Sequence, residues 1–267
     1  MREVVLRVPR AAVEDVLDRL LLIAPQGVRE SPAGRYVELK LRGDALPSLT
    51  ELRRAVGRWS HRISEHEIPD DWRERRALDY TPQVIGGRLI VRPEWAPAAM
   101  SDGLIEIVLG ESAAFGGGTH PTTQACLELL LGVPPSGSFA DLGCGSGVLA
   151  ILAARLAWNP VRALDLQPVS IEATRANAER NGVAIDAQEA DLLREPPPAT
   201  DGFAANVPAV LHRALAAGFA DPAPQVGLLS GFGPEDAVEI AAAYGTRGLR
   251  QRRRVDRHGW TVMLVGR

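Results

Sequence analysis

The stretch "FADLGCGSGVLAILAARL", residues 139–156, places three alternate glycines between an apolar strand pattern and an apolar helix pattern. Gly143, Gly145 and Gly147 permit a tight turn in which backbone N–H groups face a ligand at the positive end of a helix. The dinucleotide-binding fingerprint would have its third glycine at position 148, where this chain has valine. The stretch therefore predicts a ligand-binding strand–loop–helix unit. The alternative is that the glycines only pack the helix on the strand.

Acidic residues stand at both sides of this loop in the sequence. Asp141 precedes it, and Asp165 ends the next predicted strand, 22 residues after Gly143. A carboxylate at the tip of the second strand can accept both hydroxyls of a ribose. Strand, GxGxG, helix and acid-tipped strand together are the pattern of S-adenosylmethionine-binding, Rossmann-like methyltransferases. Asp191 falls where such enzymes often meet the adenine amino group, with an exposed loop acid as the alternative.

From about residue 120 onwards, helical and strand patterns alternate regularly, which predicts a parallel sheet covered by helices on both faces. The last two strand-like runs, 249–257 and 260–266, are joined by His258 and Gly259 without a helix. They predict an antiparallel hairpin at the sheet edge. The expected fold class is thus α/β, with a Rossmann-like class I methyltransferase sheet that ends in this hairpin.

The sequence before residue 83 predicts a separate small domain. Residues 1–67 read strand, helix, strand, strand, helix, strand, which is the order of an α+β ferredoxin-like unit. Residues 68–82 are rich in proline and charge and predict a linker, so that residues 83–267 form the large domain. A short hairpin of residues 88–95 and 103–110 is expected at the start of the large domain.

Composition excludes several classes of protein. A net charge of -3 creates no general basic field for nucleic acid. The six arginines between Arg247 and Arg257 could contact RNA, but on an edge strand such residues more often form a solvated edge. Two cysteines cannot form a zinc site, and no apolar run has the length of a membrane span. We expect a soluble, cytoplasmic monomer without a metal or a membrane partner.

The segment "AFGGGTHPTT", residues 114–123, lies just before the first strand of the predicted sheet. There it can fold over a bound cofactor, with Thr119, Thr122 and Thr123 as hydroxyl donors and acceptors. A flexible joint is the alternative. His120 is a candidate proton acceptor because its unperturbed pKa lies near neutrality, but a single histidine more often caps or packs a loop.

The motifs "AFGGGTHPTT", "DLGCGSGVLAI", "ALDLQP", "NAERNGV" and "AANV", in this order, resemble the bacterial ribosomal protein methyltransferase family (PrmA type) that modifies large-subunit protein L-eleven. The similarity extends over essentially the whole chain. It implies a small N-terminal domain that recognises the ribosomal protein. Three positions depart from the family pattern: Gly117 replaces threonine, Val207-Pro208 replaces Ile-Leu, and Arg76 replaces a linker tryptophan.

The resemblance implies N-methylation of lysine side chains or of an α-amine, with S-adenosylmethionine as the cofactor. The implied cofactor-binding residues are Thr119, Thr123, Gly143, Gly145, Asp165, Asp191 and Asn206. Asn206, at the end of the fourth strand, is also the predicted catalytic residue, because its amide oxygen can orient an amine. The alternative is a simple turn residue at the strand end. Related enzymes that methylate planar nitrogens have an aromatic residue where this chain has Ala209, which favours a flexible amine as the substrate. The alternatives are an RNA methyltransferase and a non-catalytic, cofactor-binding assembly factor.

Overall fold

The computed structural model shows a chain that divides into two compact units, with the boundary near residue 80. It describes residues 2–21, 23, 28–43, 46–59, 62–67, 84–98, 103–110, 120–257 and 259–267. The predicted linker, residues 68–82, lies outside the described residues. The predicted domain boundaries therefore stay predictions.

The described residues of the N-terminal unit form four strands and two α-helices in the predicted order. They are β1 (Arg2–Pro9), α1 (Val13–Leu21), β2 (Arg29–Ala33), β3 (Tyr36–Gly43), α2 (Leu49–Val56) and β4 (Arg62–Glu67). The strands form one antiparallel sheet in the order β2-β3-β1-β4. Its assignment to the ferredoxin-like class remains a prediction.

One face of this small sheet packs against the two helices. Along β1, Val4, Leu6 and Val8 are buried and alternate with more exposed neighbours, as the two-residue period of a strand requires. The helix α2 begins at a capping box, in which the Ser48 hydroxyl accepts from the Glu51 N–H and the Glu51 carboxylate accepts from the Ser48 N–H. Local signals thus define both the buried face and the helix start.

The large unit begins with three strands and continues as the predicted alternation of helices and strands. The first three strands are β5 (Val84–Ile85), β6 (Leu89–Pro93) and β7 (Ile105–Leu109). The later strands are β8 (Phe139–Leu142), β9 (Val161–Asp165), β10 (Asp186–Glu189), β11 (Gly202–Asn206), β12 (Val226–Phe232), β13 (Arg250–Arg257) and β14 (Trp260–Gly266). The helices are α3 (Pro121–Leu130), α4 (Val148–Arg155), α5 (Pro168–Arg180), α6 (Ala209–Gly218) and α7 (Ala237–Gly245).

Seven of these strands form one sheet in the order β10-β9-β8-β11-β12-β14-β13. The first five pair in parallel, and β14 pairs antiparallel with both β12 and β13. The C-terminal antiparallel hairpin at the sheet edge is therefore confirmed. Residue 258, at its turn, lies outside the described residues.

Two apolar cores cover the two faces of this sheet. One face packs against α3, α4 and α5 through residues such as Ala125, Ile151 and Ile171. The other packs against α6 and α7 through Leu215 and Ile240. Burial on both faces explains the continuous apolar runs of the central strands, since a parallel sheet with helices on both sides has no solvated face.

The predicted hairpin of residues 88–95 and 103–110 is wrong. The strands β6 and β7 pair in parallel, with Leu89 opposite Ile105, and β6 pairs antiparallel with the short β5 instead. The physical reason is the length of the connection, because eleven residues separate Pro93 from Ile105. A connection of about that length can cross over between parallel strands, whereas an antiparallel pair needs only a tight turn.

Within the described residues, no helix combines the length and apolar content that a bilayer crossing requires. The same part of the chain contains no group of three or more His, Cys, Asp or Glu side chains arranged to hold a metal ion.

A buried histidine joins α6 to the sheet. The imidazole of His212 is fully buried, with Nε2 2.8 Å from the Ser230 carbonyl and Nδ1 3.1 Å from the Tyr244 hydroxyl. Burial lowers the pKa of His212 to about 4. An unfolded histidine has a pKa of about 6.5, so between these values the unfolded chain binds a proton that the folded chain excludes. This residue therefore lowers the stability of the fold as the pH falls from about 6.5 to about 4.

We expect His212→Gln to remove this pH dependence, because glutamine keeps hydrogen-bonding capacity and does not titrate. The unfolding free energy of the wild type minus that of the variant should fall by up to about 3 kcal/mol between about pH 7 and pH 4. Urea denaturation at several pH values measures this difference. Tyr244→Phe keeps the histidine and should retain the wild-type slope. A pH-independent difference for His212→Gln would contradict the assignment.

Candidate functional site

The site lies where the order of the parallel strands reverses. From β8 the sheet continues through β9 to β10 on one side and through β11 to β12 on the other. In open α/β sheets, ligands bind outside the carboxyl ends of the strands at such a point. The loops that follow β8, β9 and β11 are therefore the expected binding loops.

Strand register brings the three predicted site residues of these loops to one level. Leu142 pairs with Leu164 of β9 and lies opposite Ala205 of β11. The residues that follow these three are Gly143, Asp165 and Asn206. Since adjacent strands are about 4.8 Å apart, this row spans roughly 10 Å at the carboxyl edge of the sheet.

The glycine loop turns sharply at the end of β8. Gly143, Gly145 and Gly147 have φ angles of 79°, 53° and 78°, in the left-handed region that favours glycine. The Gly143 N–H donates to the Leu164 carbonyl at 2.7 Å, which ties the turn to β9. A Cβ atom on Gly143 would collide with the side chain of Val207. Both conformation and space therefore require glycine at position 143.

Asp165 joins the second strand to the glycine loop. One of its carboxylate oxygens accepts the Gly145 N–H at 2.9 Å, and the other accepts the Gln167 N–H at 2.9 Å. Each oxygen keeps a further lone-pair site, and the residue is only half-buried. The carboxylate is thus held in one orientation while it can still accept hydroxyl donors from a ligand.

Asp141 supports the loop from within the sheet. Its side chain is buried, and its carboxyl oxygen accepts the Ala150 N–H at 3.0 Å in the first turn of α4. The pKa of Asp141 is raised to about 7, mainly by burial; the hydrogen bond from Ala150 lowers it and the nearby Asp165 charge adds to the increase. The carboxyl group satisfies an otherwise unpaired N–H group at the helix start.

A polar face of α5, which sequence reasoning missed, holds the glycine loop from outside. The Thr174 hydroxyl donates to the Gly145 carbonyl at 3.1 Å and contacts the Cys144 sulfur at 3.3 Å. The Asn177 side chain donates to the Ser146 carbonyl at 2.9 Å. Thr174 and Asn177 are buried. Their i, i+3 spacing on one helix face was the available signal.

The predicted catalytic residue, Asn206, contacts the start of α3. Its side-chain nitrogen donates to the Thr122 hydroxyl oxygen at 3.3 Å, and that hydroxyl lies 2.6 Å from His120 Nδ1. His120 is the N-cap of α3, because Nδ1 accepts the Thr122 N–H. Burial lowers the pKa of His120. The capping alternative for this histidine is therefore what the structure shows.

The remaining predicted residues fall into three groups. Thr119 and the three glycines before it lie outside the described residues. Asp191 accepts the Leu193 N–H at 3.1 Å and lies 3.3 Å from the Arg194 guanidinium, so it organises its own turn. Thr123 is buried, and its hydroxyl has no hydrogen-bond partner among the described residues.

These features fit a nucleoside. Asp165 offers carboxylate oxygens suited to a ribose diol, and the next residue, Leu166, exposes 65% of an apolar side chain suited to a ring. The Thr123 hydroxyl, for which the described residues offer no partner, is a buried polar group of the kind that a ligand or ordered water satisfies in native proteins. The site can thus bind a ribose, a flat ring and a further polar group.

A mostly parallel sheet covered on both faces, with a glycine loop beside an acid-tipped strand, defines the Rossmann-like class I methyltransferase fold. The sequence model of the family described as ribosomal protein L11 methyltransferase (PrmA) matches residues 44–267. The chain belongs to this family. The predicted family and fold class are confirmed, and the predicted S-adenosylmethionine cofactor accords with them.

Curated relatives support the same family, and a solved structure shows the same fold. Ribosomal protein L11 methyltransferase of Pelotomaculum thermopropionicum is 35% identical over 201 residues, covering 73% of this chain and 65% of that protein. The Shewanella pealeana protein of the same name is 38% identical over 200 residues, covering 70% and 64%. The chain thus matches slightly less than two thirds of the length of these relatives. A crystal structure of ribosomal protein L11 methylase from Lactobacillus delbrueckii subsp. bulgaricus superimposes with a TM-score of 0.61 at 24% identity, over 70% of this chain and 98% of that one, which shows the fold.

We expect Gly143→Ala to destabilise the protein by about 2–4 kcal/mol, from left-handed strain and the collision with Val207. Gly182→Ala is the matched control, since Gly182 also has a positive φ but has open space where the Cβ atom of an alanine would lie. It should cost only about 1–2 kcal/mol. Adding Val207→Ala should recover part of the Gly143→Ala loss. Equal losses for the two alanine variants in urea denaturation would contradict the steric explanation.

Proposed function

We propose that this chain is an S-adenosylmethionine-dependent protein methyltransferase that N-methylates lysine side chains or the α-amine of a large-subunit ribosomal protein. The observation that carries the proposal is the Asp165 carboxylate bound at 2.9 Å to the Gly145 amide, which places a ribose acceptor beside the glycine loop. Family membership supports the transfer of methyl groups and the ribosomal substrate. A ribosomal substrate also supports a cytoplasmic location.

Three groups of this chain would hold the cofactor. Asp165 would accept the ribose hydroxyls, the turn at Gly143 and Gly145 would pack against the nucleoside with its main chain, and Thr123 would donate its buried hydroxyl. When bound, S-adenosylmethionine supplies an electrophilic methyl group. Asp191 would contribute to the part of the site that holds the adenine ring, because it stabilises the turn there.

Asn206 would orient the nucleophile. An amine must present its lone pair in line with the methyl carbon, at about 3 Å, and correct alignment lowers the barrier by several kcal/mol. A free lysine has a pKa of about 10.4, so the amine must also lose a proton, which desolvation in a closed pocket favours. The Asn206 amide oxygen can accept an amine N–H and thereby direct the lone pair.

The surroundings of Asn206 suit an aliphatic amine. The next residues are Val207, Pro208 and Ala209, where an aromatic side chain would be needed to stack on a planar base or amide. The small Ala209 begins α6 and supplies no such surface. These residues favour lysine or a terminal amine over a nucleobase.

The proposed activity is tested by incubating the purified protein with methyl-labelled S-adenosylmethionine and either purified large-subunit protein L11 or naked ribosomal RNA. We expect label on the protein, and mass spectrometry of its peptides should place the methyl groups on lysine or the N-terminal amine. Label on RNA would overturn the proposal in favour of an RNA methyltransferase. Cofactor binding without transfer to either would indicate a non-catalytic assembly factor.

We expect Asp165→Asn to weaken binding of S-adenosylhomocysteine roughly 10- to 100-fold, because a charge-assisted hydrogen bond to a ligand is worth about 1.5–3 kcal/mol. Calorimetric titration measures the dissociation constant. Asp186→Asn is the control, since Asp186 is an exposed acid at the amino end of the neighbouring strand β10. Unchanged affinity in Asp165→Asn would remove the ribose role of this carboxylate.

A further inference from the structure

Three side chains form a hydrogen-bonded row from the start of α3 to the end of β11. Asn206 Nδ2 lies 3.3 Å from Thr122 Oγ1, and Thr122 Oγ1 lies 2.6 Å from His120 Nδ1. Thr122 is 1% exposed, so water does not compete for these bonds. Asn206 and Thr122 are 84 residues apart in sequence, and only the fold brings them together.

The backbone determines the direction of every bond in this row. The Thr122 N–H donates to His120 Nδ1 at 3.3 Å. A ring nitrogen that accepts an N–H carries no proton, so the neutral His120 has its proton on Nε2. The Thr122 hydroxyl must then donate its hydrogen to Nδ1, at 2.6 Å. Its oxygen is left as the acceptor for the Asn206 NH2 group.

This arrangement of donors and acceptors prevents the Asn206 amide from rotating by half a turn and exchanging its oxygen with its NH2 group. In the reverse orientation the amide oxygen would face the Thr122 oxygen, whose only hydrogen is already donated to His120. Two acceptors would then be in contact in a buried place with no donor between them, which disfavours this orientation. The amide oxygen therefore points away from Thr122, and among the described residues it accepts no hydrogen bond.

We propose that His120 and Thr122 are positioning residues, which hold the Asn206 amide with its oxygen presented to the substrate amine. The proposal rests on the proposed function for the identity of that substrate. An amide oxygen accepts the amine N–H and leaves the nitrogen lone pair free for the methyl group. A reversed amide would donate its N–H to that lone pair and block the attack.

Packing holds the first member of the row in place. The His120 ring lies edge-on to Trp260, with 5.7 Å between ring centroids and 71° between ring planes. Trp260 is the first residue of β14, which pairs with β12 and β13, so the sheet supports the ring. Since the ring is also the N-cap of α3, its plane is set from two sides.

Nitrogen-15 NMR of the histidine rings in the folded protein tests the bond order without relying on activity. At about pH 8 we expect His120 to be neutral with the proton on Nε2 and Nδ1 shifted as a hydrogen-bond acceptor. The signal is assigned by its loss in His120→Phe. A proton on Nδ1 would overturn the proposal, whatever the enzyme methylates.

Matched variants test the effect on transfer. Thr122→Val is isosteric and lacks the hydroxyl, whereas Thr122→Ser keeps it. We expect Thr122→Val to lower kcat about 10-fold or more, with the dissociation constant of S-adenosylhomocysteine changed less than about 3-fold, and Thr122→Ser to restore most of kcat. Thr246→Val, at an exposed helix end, is the control and should match the wild type.

A double-mutant cycle separates positioning from simple loss of structure. His120→Phe keeps the ring against Trp260 and removes the acceptor, so we expect it to lower kcat about as much as Thr122→Val, and the double variant to lose no more. Wild-type kcat in Thr122→Val, or additive losses, would overturn the proposal. Absence of transfer by the wild type would instead overturn the proposed function, and the tautomer measurement would still decide the bond order.

Discussion

The site depends on the register between β8 and its two neighbours. Because Leu142 pairs with Leu164 and lies opposite Ala205, the residues after them form one row at the carboxyl edge. A slip of one residue would turn every side chain of a strand to the opposite face of the sheet, where it would meet a core packed around a different residue. Burial of the central strands on both faces makes that slip prohibitive. The apolar cores therefore stabilise the fold and also determine which functional groups are neighbours.

Behind this row, buried polar groups limit each loop to one conformation. Asp141 binds the start of α4, Thr174 and Asn177 bind the glycine loop, and His212 binds the Ser230 carbonyl. A buried donor or acceptor left without a partner costs about 1–3 kcal/mol, so alternative loop conformations are disfavoured by several such groups together. His212 also links the stability of this arrangement to pH, because protonating its ring would bury a charge that no described residue compensates.

Local patterns predicted the parts of the site that are contiguous in sequence. The glycine loop, the acid at the end of β9 and the alternation of helices and strands each have a signature within about 30 residues, so they could be read directly. The contact between Thr122 and Asn206 joins residues 84 positions apart and has no local signature. The parallel pairing of β6 and β7 was missed for a related reason. A local sequence pattern predicts which residues form a strand, but it does not predict the neighbouring strand or the direction of pairing.

The two halves of the site use different chemical means. On the β9 side, the proposed cofactor contacts are the Asp165 carboxylate and the main chain of the glycine loop, and the chain conformation at Gly143 and Gly145 limits what can replace these glycines. On the β11 side, the proposed substrate contact is the side-chain amide of Asn206, and this role requires the amide oxygen, not the NH2 group, to face the substrate. The oxygen and the NH2 group of a side-chain amide have nearly the same shape and differ in whether they accept or donate hydrogen bonds. The neighbouring donors and acceptors therefore determine which of the two groups faces the substrate. If Asn206 orients the substrate as proposed, a change at Thr122 would alter that orientation without any contact to the substrate, and it would leave the cofactor half of the site intact.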